Sequence, residues 1–182
     1  MSLRAQRSHL DPPKSRSDGI SASPSAPRDD GASKQQLYDD LARQLEALIE
    51  GEADRIANAA NMAALLCHGL PGLNWAGFYF TQGRELVLGP FQGKPACVRI
   101  PWGNGVCGTA AALGRSLVIP DVHQFPGHIA CDPASAAELA VPLVEGLQVT
   151  GVLDLDSPER GRFDDEDRNG CERLVEILLT GR

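Results

Sequence analysis

Near residue 74 the apolar residues of this chain stop recurring at helical spacing and begin to alternate. That switch sets most of the architecture. Upstream, Tyr38, Leu41, Leu45 and Leu48 recur at helical spacing, as do Ile56, Ala60, Ala63 and Cys67, which places each set on one helix face. Gly51 separates the two helices, and Gly69-Leu-Pro-Gly72 ends the second. Downstream, in Asn74-Trp-Ala-Gly-Phe-Tyr-Phe80, one strand face carries Trp75, Gly77 and Tyr79, the other Ala76, Phe78 and Phe80. Short strands are expected at Glu85–Leu88, Cys97–Ile100 and Ser116–Ile119, with a helix at Val106–Leu113 between the last two. Asp121–Ala134, with Pro, Gly and His and no period, reads as a loop. Leu139–Val144 and Gln148–Leu155 pair across a turn at Glu145-Gly146. A last helix spans about Asp165–Leu179, with Asp164 as its N-cap. Helices packed on a mainly antiparallel sheet make an α+β domain.

Composition narrows the function. Residues 1–35 are rich in Ser, Pro, Asp and Arg and poor in large apolar side chains, which predicts a disordered tail. Residues 36–182 are then one domain. A net charge of −7 argues against nucleic acid, whose phosphates need a concentrated basic surface. No apolar run is long enough for a membrane span, and no secretory signal is visible, so a cytoplasmic protein is expected. An odd cysteine count, five, without a secretion signal does not suggest a static disulfide framework.

Three groups of residues could carry chemistry. Cys67 and Cys171 share helical stripes with apolar neighbours and read as core. Cys97, Cys107 and Cys131 instead sit beside loops near Gly103, Gly105, Gly108 and Gly127, where a thiol can meet a ligand. His123 and His128 share the Cys131 loop, but no Cys-x-x-Cys or His-Glu-x-x-His is present and no metal or cofactor is expected. The second group is acidic. Alternation puts Thr150, Val152, Asp154 and Asp156 on one strand face. A three-residue hairpin loop at 145–147 would pair Val144 with Gln148 and set Glu138 opposite Asp154. Like charges so clustered keep a proton near neutrality; the plain alternative is a solvated polar face. Third, Trp75 and Tyr79 flank Gly77, either as two walls of a ligand site or as a second core layer.

Four segments carry a resemblance: Gly89-Pro-Phe-Gln-Gly-Lys-Pro-Ala-Cys97, Gly105-Val-Cys-Gly-Thr-Ala110, Phe125-Pro-Gly-His-Ile-Ala-Cys-Asp132 and Gly151-Val-Leu-Asp-Leu-Asp-Ser157. Together they resemble the free methionine-R-sulfoxide reductases over roughly residues 36–180. The resemblance implies a single GAF-type domain that reduces the R epimer of free methionine sulfoxide. It implies that Cys131 attacks, with Cys107 or Cys97 as resolving partner, and that Glu138, Asp154 and Asp156 bind substrate beside the Trp75–Tyr79 wall. Thioredoxin as reductant and a homodimer follow from it alone. Trp102, Asn104 and Ala137 depart from the family pattern. The rival reading is a non-catalytic GAF sensor module that binds a small ligand, which would have no need of three loop cysteines.

Overall fold

A computed structural model describes residues 33–129 and 131–181. The tail reading falls almost wholly outside these residues. Helix α1 is Lys34–Ile49, begun by the Ser33 hydroxyl, which accepts from the Gln36 N–H; α2 is Arg55–Gly69, capped by the Asp54 carboxylate on the N–H groups of Ile56 and Ala57. Strands β1 (Trp75–Gln82), β2 (Glu85–Gly93) and β3 (Arg99–Pro101) follow, then α3 (Gly105–Leu113) and β4 (Leu117–Ile119). A short 3-10 turn at Val122–Gln124 interrupts the predicted loop. The chain ends with β5 (Ala137–Glu145), β6 (Gln148–Ser157) and α4 (Asp165–Thr180).

The six strands form one wholly antiparallel sheet in the order β3-β2-β1-β6-β5-β4. On one face α1, α2 and α4 bury Ala76, Phe78, Leu139, Val141, Leu143, Leu153 and Leu155. On the other, α3 covers Tyr79, Leu86, Ile100, Ala140 and Val152. Both faces are therefore dry, and Trp75 and Tyr79 are 3% and 1% exposed. This second face carries the site.

Several boundaries differ from the sequence reading. β2 runs through Gly89-Pro90, where turn residues predicted an end, because the β1–β2 register slips between Gly77 and Tyr79. A bulge leaves proline's missing N–H without a ladder partner to fail. Cys97 precedes β3 instead of opening it. In α2 the buried stripe is Asn58, Ala59, Met62, Ala63 and Leu66, one step round from the expected one. Ile56 is exposed, and Cys67 is half buried and packs against the edge of the core. Alanines carry little apolar area, so the large Met62 and Leu66 decide which face turns inward. Cys171 is fully buried, as expected.

Candidate functional site

The acids come together through strand parity. Asp154 and Asp156 alternate with the core residues Leu153 and Leu155 on β6. The hairpin turns with a two-residue loop, pairing Glu145 with Gln148, and Thr150 then bulges out of register. Glu138 consequently lies opposite Asp156, not Asp154, while Asp154 faces Ala140. The shift is two residues, and a shift of two preserves the face. On its other side Asp154 pairs with Gly77. Small neighbours on both flanks leave room for its carboxylate, and at Gly77 the Trp75 ring fills the remaining space: a Cβ would stand 2.6 Å from Trp75 Cη2.

Helix α3 lowers Cys107 from its first turn onto this acidic face. The Cys107 thiol lies 3.5 Å from Glu138 Oε1, to which it donates. Glu138 and Asp154 are only 6% and 7% exposed. Burial, and then the Asp156 charge, push the Glu138 carboxyl up to about 8. Burial, and then the Glu138 charge, hold Asp154 well above the carboxylate range; burial, and then the Asp154 charge, do the same for Asp156. The Cys107 thiol is driven well above its ordinary value by burial first and by the surrounding acids second. His128 Nδ1 stands 3.8 Å from Glu138 Oε2, and burial followed by the His123 charge lowers its affinity for a proton. Asp154 Oδ1 and His128 Nδ1 are buried without a hydrogen-bond partner among the described residues.

Cys131 enters from the loop after the 3-10 turn. It is disulfide-bonded to Cys97, with the two Cα atoms 5.6 Å apart, while Cys107 stays a free thiol. Cys131 nevertheless faces the same cleft as Cys107, His128, Glu138, Asp154 and Asp156. A second recess behind it is walled by Trp75 and Tyr79. The main cleft has a volume of about 30 Å³. Cys107, Glu138 and Asp154 also form the one group of the described residues whose ligand atoms, all within 4.8 Å of one another, are spaced to hold a metal ion.

Two residues outside the predicted set join the two disulfide loops. Lys94, three positions before Cys97, places Nζ 3.3 Å from Oδ1 and 3.2 Å from Oδ2 of Asp132, the neighbour of Cys131. Asp132 also accepts from the Ala134 N–H and, at 3.3 Å, from the Asn74 side chain, which donates to Ser135 Oγ as well. The Lys94 carbonyl accepts the Trp75 indole N–H at 3.1 Å. Both residues lie in segments that carry the resemblance, but residue type alone reads as solvated loop charge, and only their proximity across 38 positions pairs them.

A sequence model of the GAF domain matches residues 35–178. The free methionine-R-sulfoxide reductase of Escherichia coli is 54% identical over 145 residues, covering 80% of this chain and 88% of that protein. The chain belongs to the GAF-domain family of free methionine-R-sulfoxide reductases. Among solved structures of this family, the Neisseria meningitidis reductase in complex with its substrate superposes with a TM-score of 0.79 at 43% identity, covering 82% of this chain and 90% of that one. The reduced form of the Staphylococcus aureus reductase gives 0.77 at 50% identity, covering 79% and 94%. Among the described residues of this GAF domain, no helix is long and apolar enough to cross a membrane.

Proposed function

We propose that this GAF domain reduces free methionine-R-sulfoxide to methionine, with Cys131 as nucleophile and Cys97 as resolving partner. The observation that carries the reading is the meeting of Cys131, three proton-rich acids and an aromatic wall on one cleft. Cys131 is preferred over Cys107 on chemical grounds. The Cys107 thiol is buried among acids that oppose its ionisation, and only the thiolate attacks. Cys131 has a partner thiol within bonding reach.

In the proposed cycle the Cys131 thiolate attacks the sulfoxide sulfur, and a protonated carboxyl donates to the oxygen. Glu138 suits that role, since a group held up to about 8 keeps its proton at neutral pH. The oxygen passes as hydroxyl from the methionine sulfur to the Cys131 sulfur, the transient sulfur–sulfur bond breaks with its electron pair going to methionine, and Cys131 is left as a sulfenic acid. Cys97 attacks that sulfur, the disulfide forms and water departs. A dithiol protein such as thioredoxin then reduces the disulfide by exchange, returning both thiols. Asp154 and Asp156 receive the substrate ammonium, a group that peptide-bound methionine lacks, which supports selection for the free amino acid. The Trp75–Tyr79 wall takes the thioether end by shape and polarizability. A homodimer is part of the reading through the family alone.

The reduced protein mixed with one equivalent of free methionine-R-sulfoxide tests the cycle. One methionine per chain and a Cys97–Cys131 disulfide in the peptide map are expected. Methionine with a Cys107–Cys131 linkage would overturn the assignment of the resolving thiol; no methionine would overturn the reaction.

A further inference from the structure

The loops that bear Cys97 and Cys131 meet at a second point, the Lys94–Asp132 pair. Asp132 is a prepared anion. Its side chain is 9% exposed, and the Ala134 N–H, followed by Lys94, holds its carboxyl below the usual range despite partial desolvation. Lys94 is anchored at its other end, because its carbonyl is fixed by the Trp75 indole of β1. One residue thus ties the Cys97 loop both to the sheet and to the neighbour of Cys131. While the disulfide exists this tie is redundant. When the disulfide is open, as it must be whenever substrate is reduced, a non-covalent link has to keep the two sulfurs near each other. Gly127, with φ 75° and open space where a Cβ would stand, leaves the Cys131 loop backbone freedom that such a link offsets.

We propose that Lys94 and Asp132 are a positioning pair that holds the Cys97 loop against Cys131 while the disulfide is open, so that Cys97 resolves the Cys131 sulfenic acid. The holding function stands on geometry; its use in resolving a sulfenic acid rests on the reductase reading. In that step the Cys97 sulfur bonds to the Cys131 sulfur, the sulfenic oxygen leaves as water with the thiol proton and one more, and no external oxidant is consumed. Both residues line the recess behind Cys131, and Asp132 also borders the main cleft, but in this scheme neither bonds to the reacting sulfurs. Their effect is on how often the two sulfurs meet.

The test has two arms, each with wild type, Lys94→Gln, Lys94→Arg and Asp132→Asn. In the first, equilibration with glutathione and its disulfide measures the effective concentration of the Cys97–Cys131 pair without any sulfoxide. Lys94→Gln and Asp132→Asn should lower it by about two- to five-fold, Lys94→Arg should restore it, and 1 M salt should shrink the gap. An unchanged value in Lys94→Gln, or a loss that neither arginine nor salt alters, overturns the proposal. In the second arm, quenched single turnover follows methionine, disulfide and dimedone-trapped sulfenic acid. Lys94→Gln should close the disulfide about two- to five-fold later relative to its own methionine release, with trapped sulfenic acid accumulating. Equal closure rates would overturn the proposed role in resolution. Wild type that makes no methionine, while the glutathione differences hold, would sink the reductase reading and leave the pair standing.

Discussion

Cys107 and Cys131 look onto one cleft, but their surroundings differ. Cys107 is enclosed by acids, whereas Cys131 is one residue from an anion already matched by Lys94. Replacing Cys131 by serine should reduce turnover by more than about 10³-fold. Cys97→Ser should instead release one methionine per chain and stop at a trappable sulfenic acid. Cys107→Ser should leave the Cys97–Cys131 disulfide able to form, as read by mass spectrometry. Glu138 adds a pH signature. Its native-state carboxyl is raised from an ordinary 4.5 to about 8, so the folded protein keeps a proton that the unfolded chain releases. Stability is therefore lost as pH climbs between those values, and Asp154 and Asp156 act in the same direction. Glu138→Gln removes its share of that loss. The variant's Tm should gain on wild type as pH rises from about 5 to about 8 while turnover falls, which thermal scans and steady-state rates together would check.

At the scale of elements, the packing of α1 on α4 depends on one missing side chain. A Cβ on Gly170 would stand 2.3 Å from Cγ and Cδ1 of Tyr38, and that ring cannot swing away because its hydroxyl donates to buried Asp167 at 3.0 Å. Gly170→Ala should destabilise the fold by about 1–3 kcal/mol through overpacking, less the roughly 1 kcal/mol of better helix propensity. Urea unfolding would measure the balance; a stabilised variant would show that α4 shifts freely. The helices and strands themselves were legible in the alternation of apolar residues. What could not be read was where alanines or turn residues carry weak signals: the phase of α2, the continuation of β2 through Gly89-Pro90, and the hairpin register. The acidic face survived that register error because two residues of slip return every side chain to the same side.

For the whole molecule, the site is a product of having two dry sheet faces. One holds the core under three helices, and the other spends its burial on acids, thiols and aromatics under α3. Trp75 and Tyr79 were legible as a pair, as either wall or core; both are buried, as a core layer requires, and both line the recess behind Cys131. The Cys97–Cys131 linkage was not legible, because loop geometry, not spacing, chooses between Cys97 and Cys107. With the disulfide closed the main cleft is small, about 30 Å³, and the Cys131 sulfur is bonded to Cys97 and not free to meet a ligand. Methionine should therefore bind the reduced chain and not the oxidised one; calorimetric titration of both forms would check this, and equal binding would place the substrate elsewhere.

The most direct test of the central claim is turnover coupled to thioredoxin and NADPH with three substrates: free methionine-R-sulfoxide, its S epimer and a peptide-bound sulfoxide. Wild type and Cys131→Ser would be run side by side. The account predicts NADPH oxidation with the free R epimer alone, lost in the variant. Equal rates with the peptide, or a Cys131→Ser protein as active as wild type, would contradict it.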